Sequence, residues 1–469
     1  MSSGELYDFL TRLGYSCYCI LHDKNPKAHG LEDDQVMQEL SEREPSLLII
    51  PDAGTNNDKE CKKLKNKGWE VICLDHHELE SGNNNAIVVN CQTSDRVVNK
   101  SASGTLVTWH AMHLMDARLA NEYASYVAIS TISDGMSFLT DENITFILHG
   151  LPRVHPNLKA LVDSVQKDYY PMSWSFGGFV PKANATIRLG DIVEKRCLFN
   201  VVAGIDKEEF DIERVSKIIK HYHTLQNQLA SSILEENVTI ENEDANVLIC
   251  KLDIKTSLTG LVANKLMGRT GKSVLMLHDR DDGNCDGSVR SPFEDEDDFR
   301  GRLNSSGLFN YNSGHPSSFG TSYKRENEEL IKKFFEDFPK PCYTVYKKLT
   351  PNQLTTSEIE PFGDLNVLWC SNTNKLVEPK YYIKMTLRAD NIDVIGATKT
   401  TIKFYDPTSR FQFIKFFCTH EWIDKLKKNK EIVVEMIGTP KWNEYNGRRS
   451  PQFLIDRMEF REFGFDDLF

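Results

Sequence analysis

The sequence contains no apolar run of the ~18 residues needed to span a bilayer, so no membrane-spanning helix is expected. Its first residues, MSSGELYDFL, lack a basic stretch followed by an apolar one and carry Glu5 and Asp8, which excludes a secretory signal there. Eleven cysteines are present, an odd number, and only Cys17 and Cys19 stand close together. That pattern gives no disulfide framework and fits reduced thiols in a cytoplasmic protein. Cys/His pairs at zinc-site spacing are also missing. There is no internal repeat and no long low-complexity tract. Positive charge is in short supply, 56 Lys and Arg against 68 Asp and Glu, for a net charge of -12. That balance argues against coating of nucleic acid by bulk attraction but does not exclude a local basic channel, because steering follows the distribution of charge.

What is present is the composition of a globular protein, 40% hydrophobic and 26% charged, in a chain of 469 residues that is too long for one ordinary core. Two or three domains follow. In the first ~150 residues a helical opening (Leu6, Phe9, Leu10, Leu13) leads to an apolar strand at Cys17–Leu21. Further short apolar runs lie at Leu47–Ile50, Val71–Leu74 and Ala86–Val89. Helical patterns at Asp33–Glu42 and Asp58–Lys67 alternate with them, the mark of a parallel sheet with right-handed crossovers. Thr105–Leu119 and Asn121–Ile132 read as two more helices. Lys207–Glu236 is a long helical pattern. A second α/β unit follows, with strands Val247–Leu252, Ser273–Leu277 and Gly287–Ser291 and helices Leu261–Met267 and Arg325–Phe338. From Tyr381 onward the texture is five strands with a helix, Trp422–Asn429, between the third and fourth, which suggests a small Greek-key barrel of the oligonucleotide-binding type. The fold class expected is therefore α/β with a C-terminal β-barrel, divided as 1–200, a connecting helix at 201–238, 239–345 and 346–469.

Three acidic signals stand at the ends of elements in the first domain: Asp52 after LLIIP, Asp75-His76-His77 after VICL, and Asp134 in TISDGM. In open α/β sheets ligands bind beyond the carboxyl ends of the parallel strands, so Asp52 and Asp75–His77 are expected side by side. Carboxylates with imidazole suit Mn²⁺ or Mg²⁺, and a pair of such ions, bridged by Asp52 or Asp134, suits phosphate-ester hydrolysis. A lone Asp after a strand is most often a turn or cap residue. Three such signals in one βαβ context argue for a site.

LDHHE after an apolar strand resembles the signature of the DHH phosphoesterase superfamily. IIPDAGTNN resembles its second motif, and SASGTLVTWHAM and TISDGMSF its Ser-Gly helix start and last metal aspartate. The resemblance implies Asp52, His76 and Asp134 as metal ligands, Asp75 as the group orienting a histidine, and His77 facing the scissile phosphate. Ser103 and Gly104 would open a helix whose N-terminus takes a phosphate oxygen. FVPKANATIRLGD resembles the RecJ-like nucleases, with Asn184 and Arg188 toward DNA. GSVRS and SGHPSSFG resemble the DHH-associated domain and imply Arg290, Ser291, Gly314 and His315 as substrate contacts. The loop departs from the family in having Ser313 before the glycine and Ser317-Ser318-Phe319 after the histidine. YNGRRSPQFLIDRMEF resembles the barrel appended to RecJ, where Lys425, Lys427, Lys428 and Lys430 form a basic edge and Trp442 and Tyr445 are placed to stack bases.

The family's first motif, Asp-x-Asp-Gly, is not in this sequence, and MSSGELY resembles the residues that follow it. The expectation is an N-terminally incomplete catalytic domain that binds metal weakly, checked by the in-frame DNA upstream of Met1. His22-Asp23 is a poor substitute for the motif. The resemblance implies a cytoplasmic, monomeric, metal-dependent exonuclease on single-stranded DNA, 5′ to 3′, serving repair, recombination or replication alongside proteins of those processes. Two other readings stand beside it: a phosphodiesterase for short oligonucleotides or cyclic dinucleotides, and a catalytically impaired nucleic-acid-binding scaffold.

Overall fold

Three of the short apolar runs in the first 150 residues pair as expected. In the computed structural model, β1 (Leu47–Pro51), β2 (Glu70–Asp75) and β3 (Ile87–Asn90) form a sheet in the order β1-β2-β3 with every pairing parallel. The structure describes the chain except residues 23–29, 80, 94, 170, 176, 206–210, 243–244, 255, 293–298, 316, 337, 339–344, 361–378, 397–398, 417, 446–447 and 465–469. It divides into a unit built on Met1–Leu229 and a second built on Ala230–Val367 and Val377–Phe469.

The first unit surrounds its sheet with α1 (Ser2–Arg12), α2 (Asp34–Ser41), α3 (Asp58–Asn66), α4 (Gly104–Met115), α5 (Ala117–Ala120), α6 (Ala124–Ser133), α7 (Asp141–Gly150), α8 (Pro156–Val165), α9 (Pro171–Ser175), α10 (Phe179–Leu189) and α11 (Ile192–Val202). α12 (Ile212–Glu236) is a single 25-residue helix where a long connecting helix was expected. Its apolar side sets Val215 and Ile219 into the core with Phe9, Leu106, Met112, Tyr126, Ile129 and Trp174. α4 and α6 are apolar almost all round and lie at the centre, while α1 packs across α4. Fully burying one such aliphatic or aromatic side chain contributes about 1.5–3 kcal/mol.

Cys17–Leu21 is not a strand. The segment lines a cavity of about 1720 Å³ beside β1 and has no ladder partner. Its residues have the right texture, but a strand exists only where neighbouring N–H and C=O groups accept its ladder.

The second unit holds two sheets. The first, in the order β4-β5-β6-β7-β9-β8, comprises β4 (Val238–Ile240), β5 (Val247–Leu252), β6 (Ser273–Asp279), β7 (Asn284–Arg290), β8 (Tyr311–His315) and β9 (Ser318–Lys324). Only β5 and β6 are parallel, joined by α13 (Thr259–Thr270), which ends on Gly271 in the left-handed region at φ 66°. α14 (Phe299–Ser305) and α15 (Glu328–Glu336) cover this sheet through Phe299, Leu303, Ile331 and Phe335.

The other sheet has the order β10-β11-β15-β16-β14-β13-β12, from β10 (Val345–Leu349), β11 (Lys380–Arg388), β12 (Asp393–Ile395), β13 (Thr401–Tyr405), β14 (Gln412–Lys415), β15 (Glu431–Tyr445) and β16 (Arg448–Glu462). α16 (His420–Lys427) falls between the third and fourth of the expected strands. β11 alternates buried and exposed residues, as a strand with one wet face must. Among the described residues the end strands β10 and β12 do not pair with each other, so the pairing is that of an open sheet rather than a closed barrel. Trp442 packs partly buried against this core beneath Arg449, and Lys425 is paired with Glu421. The side chain of Tyr445 lies outside the described residues. No helix among the described residues is long and apolar enough to cross a membrane.

Candidate metal centre

The parallel register decides where the chemistry gathers. Pro51 stands beside Leu74, and Asp75 beside Asn90, so the chain leaves β1, β2 and β3 at one edge with Asp52, Asp75 and Asn90 abreast. Asp52 has φ 65°, a left-handed conformation that a non-glycine residue adopts at a cost of order 1–3 kcal/mol. The strain is held by its N–H, which donates to the Leu74 carbonyl at 2.7 Å. Two residues on, Gly54 has φ 104°, and a Cβ there would stand 2.5 Å from Cys73 Sγ, so this turn admits only glycine.

Asp75 is buried and saturated with donors. Its Oδ1 accepts from the N–H of His76 (2.7 Å) and of His77 (3.2 Å) and meets His77 Nδ1 at 2.7 Å, while Oδ2 accepts from the Thr55 N–H at 3.0 Å. Burial opposes its ionisation, but His77 and Thr55 win and hold the carboxyl well below the usual range. His77 is raised in turn, chiefly by the Asp75 hydrogen bond. Its Nδ1 is committed to Asp75, so Nε2 is the nitrogen that would meet a cation. His76 is buried, with Nδ1 2.9 Å from the Ala102 carbonyl and Nε2 3.2 Å from Asp52 Oδ1. That carbonyl requires a proton on Nδ1 and leaves Nε2 as the ligand atom of the neutral ring. Burial lowers the His76 pKa, but Asp52, with Asp134 and Asp75, more than offsets this and takes it to about 9.

Asp52, His76 and His77 offer one oxygen and two nitrogens within 4.8 Å of one another. Asp52 Oδ1 is out of solvent and accepts no well-aligned hydrogen bond, which leaves a lone pair directed at a cation or at protonated His76. A buried carboxylate oxygen with two imidazoles fits a divalent cation of intermediate hardness. Asp134 stands next to this group at the C-terminus of α6, where Gly135 (φ 64°) turns the chain and Ser130 Oγ donates to Asp134 Oδ2 at 3.1 Å. Burial and the Asp52 charge raise its pKa to about 6 against the pull of His76.

Ser103 caps α4, its hydroxyl accepting from the Leu106 N–H at 3.2 Å. Gly104 is in contact with the Asp52 side chain, so the first turn of α4 faces the cluster. Asn184, on α10, reaches Ser133 at 3.5 Å, one residue from Asp134. Arg188 is exposed one turn further and donates to Gln226 at 3.3 Å. The remaining expected residues lie in the second unit. Arg290 sits on β7 over Gly260, where a Cβ would come within 3.1 Å of the guanidinium carbon. Ser291 is buried on Ser273 at 2.8 Å, Gly314 has φ 132° on β8, and His315 pairs with Ser318. The side chain of His315 is outside the described residues, as is the whole of Asp23.

Two polar residues were not anticipated. Asn90 ends β3 as Asp52 and Asp75 follow β1 and β2, and its amide donates to the His77 carbonyl and to Thr55 Oγ1, each at 2.8 Å. Its place at the end of the third apolar run was the signal. Glu5, in the first turn of α1, is fully buried, and neither carboxylate oxygen has a hydrogen-bond partner among the described residues. Burial raises its pKa well above the usual carboxylate value, and the Asp52 charge adds to the shift. A carboxyl whose folded pKa is raised confers stability in acid that is lost as pH climbs from its ordinary pKa toward the raised one. Glu5→Gln is therefore expected to stabilise the metal-free protein at neutral pH by on the order of 1 kcal/mol, seen as a higher melting temperature, and to flatten the decline of stability with pH. An unchanged or lower melting temperature in EDTA at neutral pH would count against this account.

Comparison with known proteins bears on the same elements. The profile of the DHH family, N-terminal domain, matches residues 1–131, which hold all of β1–β3 and α4. YorK of Bacillus subtilis (strain 168), provisionally described as an SPbeta prophage-derived single-strand DNA-specific exonuclease, is 28% identical over 501 residues, covering 98% of this chain and 85% of its own length. The single-stranded-DNA-specific exonuclease RecJ of the same organism is 23% identical over 496 residues, and there the chain spans 60% of the relative. Among solved structures, RecJ from Thermus thermophilus in complex with Mn²⁺ superimposes with a TM-score of 0.68 at 19% identity, over 98% of this chain and 66% of that one. This last likeness is one of fold.

Proposed function

For a chain that belongs to the RecJ-like branch of the DHH family, we propose a divalent-metal exonuclease that hydrolyses phosphodiester bonds of single-stranded DNA. The observation that carries it is the Asp52–His76–His77 group at the carboxyl edge of the sheet, with Asp134 beside it. The curated relatives are named for single-strand-specific exonucleases, and the Thermus RecJ structure holds Mn²⁺, which favours the same substrate and metal class here. Asp52, His76 and Asp134 would hold Mn²⁺ or Mg²⁺, with His77 Nε2 close enough to share. When bound, such ions supply an ionised water and neutralise phosphate charge.

The side chains do the rest. Asp75 fixes the His77 ring, and the Ala102 carbonyl fixes His76. His77 faces the scissile phosphate, and the first turn of α4 at Ser103 and Gly104 takes a non-bridging oxygen. Asn184 and Arg188 contact the strand on the same unit, while Arg290, Ser291, Gly314 and His315 contact it on the other. Digestion runs 5′ to 3′, with a role in repair, recombination or replication.

The test is a time course with Mn²⁺ on a long single strand labelled at either end, on its duplex, and on a dinucleotide. Mononucleotides are expected first from the 5′ end of the single strand, with duplex and dinucleotide slower. Faster hydrolysis of the dinucleotide, or hydrolysis unaffected by EDTA, overturns the reading.

A further inference from the structure

In the second unit a cavity of about 380 Å³ lies where the end of α13 meets β14, α16 and β16. Four cationic side chains line it, Arg269, Lys272, Lys415 and Arg457, against two carboxylates, Asp456 and Glu459. Both carboxylates are already engaged. Asp456 pairs with Lys380 at 2.9 Å, and Glu459 with Arg457 at 2.5 Å.

Lys415 is the informative group. Its ammonium donates to the main-chain carbonyl of Asp456 at 3.0 Å, and no carboxylate forms an ion pair with it among the described residues. Burial depresses its pKa. An ammonium partly drawn out of water, beside a carboxylate of Asp456 that is already paired with Lys380, costs free energy that an incoming anion returns. Arg269 is held only loosely, 3.6 Å from Glu235. Two more features point the same way. α16 begins at the cavity, with Thr419 capping it at 3.2 Å from the Trp422 N–H, so the positive end of the helix dipole adds to the field. Trp422 lines the wall, its ring held edge-on by Phe460 at 5.3 Å. Cations on one side and an indole on another, in a space of this size, match one nucleotide.

We propose that this cavity binds a nucleotide unit, with the phosphate on Lys415 and its neighbouring cations and the base against Trp422. It is separate from the metal cluster and does not rest on the proposed nuclease reaction. The nucleotide comes either free, as a nucleoside monophosphate, or as one residue of a bound strand.

Calorimetric titration of the full chain in EDTA with dTMP, inorganic phosphate and oligo(dT) tests it without metal or turnover. Expected are saturable dTMP binding tighter than phosphate binding, and about tenfold weakening by Lys415→Gln with partial recovery in Lys415→Arg. Trp422→Phe should weaken dTMP but not phosphate. If oligo(dT) competes with dTMP the occupant is part of a strand, and if not it is the free nucleotide; both support the site. No saturable dTMP binding, or binding that Lys415→Gln leaves intact while that variant melts like the parent, overturns it.

Discussion

Asp134→Asn is expected to lower metal-dependent hydrolysis by roughly a thousandfold or more, while leaving the fold intact. The substitution keeps the shape and a Ser130 partner but removes a negative charge worth several kcal/mol to a bound cation, and each ~1.4 kcal/mol is tenfold in rate or affinity. The pH dependence makes the test specific. In the metal-free protein His76 keeps its proton up to about pH 9 and Asp134 up to about pH 6. A cation must displace both, so Mn²⁺ affinity should climb with pH, by about tenfold per unit for each proton displaced. Between pH 6 and 9 the proton released is that of His76. Both pKa values are raised on folding, so the metal-free protein should also lose stability as pH rises, first through the Asp134 window below about 6 and then through that of His76 up to about 9. Asp134→Asn removes the first window and, by taking a carboxylate from beside His76, moves the second to lower pH. Calorimetry across this range, with hydrolysis of a labelled single strand, measures all of it. Affinity in the parent that is flat with pH, or a variant within a few-fold of parental activity, would sink the assignment.

How much of this was legible beforehand depended on whether local pattern or tertiary pairing decided each element. β1, β2 and β3 lie within a residue or two of their apolar runs because a buried parallel strand is apolar along its whole length. The meeting of Asp52 with Asp75–His77 followed from that order alone. Cys17–Leu21 has the same texture and forms no strand, since texture cannot say whether a neighbour is there to pair. The register of the last sheet was hidden for the same reason: β14 pairs in parallel with β16, far along the chain, and nothing local in either strand announces it. Glu5 was invisible because a Glu in the first turn of a helix is ordinarily a solvated partner of the dipole. Only the packing of α1 across α4 makes it a buried charge. The αL turn at Asp52 was equally silent, because the residue found there is not the glycine or asparagine that would advertise it.

Gly104→Ala is the sharper test of how that turn is supported. α4 begins at Gly104, and on propensity alone an alanine there should stabilise the helix by up to about 1 kcal/mol. The site dictates the opposite. A Cβ at Gly104 would stand 2.5 Å from Asp52 Cγ and 2.7 Å from Asp52 Cβ, and nearer still to Oδ1. Neither side can give way cheaply. Asp52 is held in a left-handed conformation by its N–H on Leu74, and α4 is pinned by Ser103 and by the buried contact of Thr105 with Ser2 at 2.8 Å. The carboxylate must swing away from its place 3.2 Å from His76 Nε2, so the donor atoms no longer converge. The expected result is a fall of about 10–100-fold in Mn²⁺ affinity, with a parallel loss of hydrolysis that higher metal concentration restores only in part. Asp52→Gly should mimic the metal defect without the clash, since it removes the Cβ as well as the carboxylate, and Gly104→Ala added to it should cost little more, because the contact that makes the methyl intolerable is gone. If Gly104→Ala alone binds Mn²⁺ like the parent, the close approach of α4 to Asp52 is not what positions the cluster.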